Sequence, residues 1–164
     1  LKRGDIINID ITVIKDGWHG DTSRMFVVGE ASIAAKRLCQ MTYEAMWHGI
    51  VKVKPGVRLG DIGFAIQRFA ESHRYSVVRE FCGHGIGQMM HEDPQVPNFG
   101  KRGRGRTITA GMVLAIEPMV NAGTAAVRVD DDGWTARTAD GRRSAHFEHT
   151  VAVTRKGPEI LTRV

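Results

Sequence analysis

The amino-acid pattern predicts an α+β domain built on a mainly antiparallel sheet. Three observations predict it. Two alternating segments joined by a turn signal lie near the start, two segments of helical period follow, and strand-like segments then return to the end. A chain of 164 residues, 42% apolar and 25% charged, suits one domain with a real core. Residues 1–164 are therefore read as a single domain. No apolar run approaches the roughly 18 residues that a membrane span needs, and no charged-then-apolar leader is expected. Cys39 and Cys82 lie far apart without a CxxC pair, which suits free thiols in a reducing cytoplasm.

Ile6 to Ile14 alternates as a strand, with Ile7, Ile9, Ile11 and Val13 on one side and Asn8, Asp10 and Thr12 on the other. Lys15-Asp16-Gly17 is a turn signal, and Trp18 to Val28 supplies the second strand of a hairpin. Ser32 is the expected N-cap of a helix running toward Val53 and stopped by Pro55-Gly56. A second helix spans Leu59 to His73, with Ile62, Ala65, Ile66, Phe69 and Ala70 on one stripe. The pair is expected to cover one face of the sheet. Ser76 to Phe81 then reads as a strand entering a glycine-rich bend at Gly83-His84-Gly85-Ile86-Gly87. Met112 to Glu117 is a short apolar strand closed by Pro118. Val127–Val129 and Thr135–Arg137 flank an acidic turn, and His146 to Thr154 alternates again.

The net charge is +5, and part of it is local: Lys101, Arg102, Arg104 and Arg106 crowd a glycine-rich stretch. A polyanion contact is one reading. With no aromatic residue interleaved for base stacking, a solvated loop is the favoured one.

Five residues point to metal chemistry as a set. Asp10 sits mid-strand, where aspartate is disfavoured. With a four-residue loop over Ile14–Gly17, Asp10 would stand directly opposite Asp21, and facing carboxylates repel unless cations lie between them. His84 is exposed by its glycine neighbours and is a common kind of metal ligand. Glu117 and Glu148 lie in apolar strands, where a carboxylate is costly unless paired or bound to metal. Four carboxylates and a neutral imidazole balance two divalent cations, and such oxygen-rich ligation suits Mn, Fe, Co or Zn. Two such ions can activate a water and polarise a carbonyl. His91-Glu92-Asp93-Pro94 is not a helical zinc signature, because residue 95 is Gln95.

Asn8-Ile9-Asp10, Gly20-Asp21-Thr22, Gly83-His84-Gly85-Ile86-Gly87, His91-Glu92-Asp93-Pro94, Ile116-Glu117-Pro118-Met119 and Phe147-Glu148-His149-Thr150 together resemble the type I methionine aminopeptidases. Met119 and His149 favour that branch over the similar prolidases. The resemblance implies the pita-bread fold, a curved mainly antiparallel sheet with helices on its outer face. It implies a metallopeptidase catalytic domain that removes the initiator methionine of nascent proteins by attack of a hydroxide bridging two divalent metals. Asp10 would chelate one metal, His84 and Glu117 the other, and Asp21 and Glu148 would bridge. Glu117 would shuttle the proton, His91 would hydrogen-bond the carbonyl oxygen, and Met90, His91 and Trp134 would line the methionine pocket. Asn8 and Ser144 match positions around a monovalent cation in some members.

Met90 departs from a phenylalanine common in similar enzymes, and His146 stands where some relatives have glutamine. Members also carry an N-terminal segment with a further catalytic histidine, so the chain is read as the C-terminal portion of a longer protein. The partners implied are nascent polypeptide N-termini and the ribosome, with no membrane contact and a monomeric state when complete. Two other readings stand beside this one: a truncated domain without activity, and a ribosome- or nucleic-acid-binding module using the basic loop.

Overall fold

The computed structural model describes residues 1–163. The elements run β1 (Ile6–Lys15), β2 (Trp18–Val27), α1 (Ile33–Ile50), α2 (Leu59–Ser72), β3 (Ser76–Val77), β4 (Gly83–Gly85), β5 (Glu92–Val96), β6 (Val113–Ile116), β7 (Met119–Asn121), β8 (Val127–Val129), β9 (Ala136–Thr138), β10 (Ser144–His146), β11 (Glu148–Thr154) and β12 (Gly157–Ile160). A seven-stranded sheet has the order β1-β2-β11-β6-β4-β5, with β12 paired to β11. A three-stranded sheet, β10-β7-β3, and the ribbon β8-β9 complete the strands among the described residues. All the pairings are antiparallel, as the alternating segments predict.

The two larger sheets meet at a shared corner. Only Glu117 and Pro118 separate β6 from β7, and only Phe147 separates β10 from β11. At both places the chain leaves one sheet and enters the other. Pro118 has no N–H to offer a ladder, which ends the β6 pairing there. The result is a curved sheet whose bend carries Glu117 and Glu148.

The helices seal one face. The Ser32 hydroxyl accepts the Ala35 N–H at 3.2 Å, the N-cap expected from sequence. Leu38, Ala45, Met46 and Ile50 of α1 and Ile62 and Ile66 of α2 are fully buried. Each of the leucine, methionine and isoleucine side chains contributes roughly 1.5–3 kcal/mol on burial. A Cβ on Gly49 would crowd Ile66, so glycine is what lets the two helices approach. From the sheet, Leu114, Ile116, Phe147, Val151 and Val153 meet them. Phe147 packs edge-on against Tyr43 and His149 against Trp47, which orients the intervening Glu148 the opposite way. Among the described residues no helix is long and apolar enough to cross a membrane. Cys39 and Cys82 are free thiols.

Two local expectations are corrected. The β1–β2 loop has two residues, not four. Asp16 and Gly17 both have positive φ, at 51° and 83°, the mirror-image turn that matches strand twist. Asp10 therefore faces Ser23, and Asp21 faces Thr12. The shift is by two residues, so both aspartates keep the same sheet face but stand diagonally rather than directly opposed. The second correction concerns the glycine-rich bend: Gly83–Gly85 is a buried strand between β5 and β6. A Cβ on Gly83 would overlap the Ala115 carbonyl, and one on Gly85 the Asp93 carbonyl. Glycine serves close strand approach here, not turning. β5, β7 and β12 are not among the expected strands; β5 includes a proline, β7 is a three-residue strand after Pro118, and β12 is a short edge partner of β11.

Gly85→Ala should cost about 1–3 kcal/mol through overpacking. The measurement is the urea midpoint, expected to fall with unchanged slope.

Candidate metal centre

The register places the acidic residues in two rows across the face away from the helices. Asp10 pairs with Ser23, and Ser23 with Glu148. Carrying the β11–β6 register on by one residue brings Glu117 beside Glu148. The next row holds Thr12, Asp21 and Thr150. Thr12 Oγ1 donates to Asp21 Oδ1 at 2.9 Å, and the Thr150 hydroxyl bonds the Asp21 backbone N–H and carbonyl at 2.9 and 2.7 Å. These threonines aim the Asp21 carboxylate. His84 enters from β4, and its Nδ1 lies 2.8 Å from the Gly85 carbonyl. With Nδ1–H donating there, Nε2 is left to face Glu117 Oε1 at 3.4 Å.

The five residues read from sequence as a set thus converge on one cleft of about 970 Å³. Met90, His91 and Trp134 line the same cleft. The His91 ring lies edge-on to His84, 4.4 Å between centroids. Trp134 is 89% exposed, held at the rim by the β8–β9 ribbon. Asn8 and Ser144 have separate partners. Asn8 donates to Ser23 Oγ at 2.6 Å and to the His146 carbonyl at 2.9 Å, whereas Ser144 bonds the Val120 carbonyl at 3.3 Å.

Electrostatics make the site a cation trap. Burial, then Asp10 and Asp21, pushes the Glu117 pKa up to about 8. Burial, then Glu117, Asp21 and Asp10, pushes Glu148 up to about 9. Burial and then Asp21 raise Asp10, whereas burial lowers His84, favouring its neutral, ligating form. Ligand atoms of Asp21, His84 and Glu148 lie within 4.8 Å of one another, and so do those of Asp10, His146 and Glu148. Glu148 Oε1 is shut from solvent without a hydrogen-bond partner. A buried carboxylate oxygen in that state, among like charges, calls for a counter-charge, which a proton or a divalent cation supplies.

The sequence marks His146 as a departure from glutamine and puts it on one strand face with Glu148, without making it a ligand. The available signal was that period-two spacing. Burial, only partly offset by Asp21, lowers its pKa to about 4.

A model of Metallopeptidase family M24 matches residues 1–155. The chain belongs to this family. Among curated relatives, the methionine aminopeptidase of Rickettsia prowazekii is 55% identical over 163 residues, 99% of this chain and 63% of the relative. The crystal structure of methionine aminopeptidase from Rickettsia prowazekii superposes with a TM-score of 0.98, at 55% identity, covering 99% of this chain and 66% of that one. That of Thermotoga maritima gives 0.97 at 47% identity, with the same two coverages. This M24 chain therefore spans somewhat under two thirds of the length of the curated relatives it matches. Its curved sheet with two backing helices is the pita-bread architecture expected from the motifs.

Without metal, both glutamates hold their protons more tightly folded than unfolded. Their contribution to stability is full below the ordinary carboxylate range and is lost as pH rises through about 8 and about 9. Metal-free protein should therefore melt at lower temperature at pH 9 than at pH 7. Saturating Co(II) or Mn(II) should reduce or abolish that fall, because cations replace the protons. Thermal melts with and without chelator check this.

Proposed function

We propose that this M24 domain, residues 1–164, performs methionine aminopeptidase chemistry, releasing the initiator methionine from nascent polypeptide N-termini in the cytoplasm. The observation that carries the reading is the convergence of Asp10, Asp21, His84, Glu117 and Glu148 in one cleft with Met90, His91 and Trp134 on its walls. The relatives named methionine aminopeptidase support it.

In this reading Asp10 would hold one divalent cation and His84 with Glu117 the other, and Asp21 and Glu148 would serve both. When bound, such ions supply an acidified water and a polarised carbonyl. The protein's own groups do the rest. Glu117 stands in the cleft where it can take a proton from the water and pass it to the departing amine. His91 donates to the scissile carbonyl oxygen as charge builds there. Met90 and Trp134 offer flexible and flat apolar surfaces to an unbranched thioether side chain. A monovalent cation near Asn8 and Ser144 belongs to the same proposal.

In the full-length protein, Asp21→Ala should lower kcat/KM on a Met-Ala peptide by at least about a hundredfold and abolish paired cation binding. Unchanged hydrolysis defeats the two-metal reading. His91→Ala should lower kcat by about 10²–10³-fold with metal content intact, measured by peptide turnover and elemental analysis.

A second activity, contact with RNA such as a ribosomal surface, is favoured by one tertiary feature. The basic loop has no aromatic neighbours in sequence, but the fold sets Arg102 over the Phe64 ring at 4.6 Å. Phe69, Arg68, Lys52 and Lys54 line the same cleft of about 650 Å³ on the helical side, remote from the acidic centre. Cations beside aromatic faces suit single-stranded nucleic acid. Phe64→Ala with Arg102→Ala should weaken binding of a labelled oligonucleotide by at least about tenfold and flatten its salt dependence. Anisotropy titrations at several salt concentrations check this, and unaltered binding removes the reading.

A further inference from the structure

The metal centre holds one side chain that the five-ligand set does not use. His146 ends β10, and the corner at Phe147 returns the chain to the same face with Glu148. Its Nδ1 lies 3.2 Å from Ser23 Oγ and 3.9 Å from Asp10 Oδ2. Its Nε2 lies 3.7 Å from Glu117 Oε2, beyond hydrogen-bond distance, and is shut from solvent with no partner. A buried ring nitrogen with no partner, 3.7 Å from a carboxylate of the acidic centre, requires an explanation.

Two explanations compete. An ion pair with Glu117 would need a charged imidazole in a buried place, and the separations are too long for the hydrogen bonds that would repay its desolvation. Coordination needs the opposite: a neutral ring, one nitrogen donating to a fixed acceptor and the other holding a lone pair toward the ion. With the Nδ1–H tautomer, Ser23 Oγ is that fixed acceptor at 3.2 Å, itself accepting from Asn8 at 2.6 Å. A ring nitrogen of His146 lies within 4.8 Å of ligand atoms of both Asp10 and Glu148. The same spacing joins His84, Asp21 and Glu148. The acidic centre is thus divided into two clusters sharing Glu148, each with one imidazole.

We propose that His146 is a sixth protein ligand, giving a ring nitrogen to the cation shared with Asp10 and Glu148 and biasing that position toward nitrogen-preferring metals. The proposal rests on the two-metal reading above. Imidazole favours Co(II), Zn(II) and Fe(II) over Mn(II) more than an all-oxygen set does. Ser23 acts as a positioning residue, holding the ring through Nδ1.

The test uses metal-free full-length protein and calorimetric titration with Co(II) and Mn(II). His146→Gln should weaken one of two Co(II) sites by at least the roughly 10–100-fold that losing a ligand's hydrogen-bond partner costs and Mn(II) binding by much less. On the di-Co(II) protein, the hyperfine-shifted imidazole N–H resonances should be one fewer in His146→Gln than in the wild type. Ser23→Ala, which keeps the imidazole, should retain the resonance count with a smaller loss of Co(II) affinity, and serves if His146→Gln does not fold. Two Co(II) ions bound by the wild type, with affinities and resonance count unchanged by His146→Gln, overturn the assignment of His146 alone. In Ser23→Ala, unchanged Co(II) affinity or a lost resonance counts against it. A wild type that binds no cation pair overturns the two-metal reading with it.

Discussion

Negative charge held on a desolvated sheet face is the constraint on which the rest of this structure depends. Asp10, Asp21 and Glu148 come from three strands and Glu117 from the corner after β6, and among the described residues no arginine or lysine lines their cleft. Burial and mutual repulsion push Glu117 and Glu148 into the neutral and basic range. A fold that depended only on packing would have no use for this arrangement, because apolar residues there would be cheaper. The scaffold holds the groups together against their repulsion, and cations are the counter-charge that makes the arrangement favourable.

The scaffold does this from behind. Ile116 and Phe147 face the helices, and their chain neighbours Glu117 and Glu148 face the cleft. Core packing on one side therefore sets carboxylate positions on the other, through the period of two along a strand. The corner at Pro118 and Phe147 bends two paired strands together, concentrating side chains on the concave side. Gly83 and Gly85 let β4 approach closely enough for His84 to join them. The same design leaves Ile9, Ile11, Val13 and Phe26 exposed on the other face of the hairpin.

The helical layer has a second surface with opposite electrostatics. Asp61, the acid of its cleft, is committed to the backbone N–H groups of Arg58 and Gly103 at 3.0 and 2.9 Å. That leaves Lys52, Lys54, Arg68 and Arg102 to dominate the field there. One small domain thus presents an acidic concave face and a basic surface on its helical side.

Much of this was legible in the residues themselves. Alternation, helical periodicity and turn chemistry determined the hairpin, the helix pair and the strands carrying Glu117 and Glu148, because these are local preferences repeated over many residues. The motifs determined the family and the cleft residues, down to Met90, His91 and Trp134. Only tertiary structure decided the hairpin register, since a two-residue shift preserves every side chain's face and leaves no mark on the pattern. Only it revealed Gly83–Gly85 as a strand, because what forbids a Cβ there is backbone from distant segments. It likewise set Phe64 beneath Arg102 and turned His146 from a sequence departure into a candidate ligand. Those are contacts between residues far apart in the chain, and periodicity carries information only about near ones.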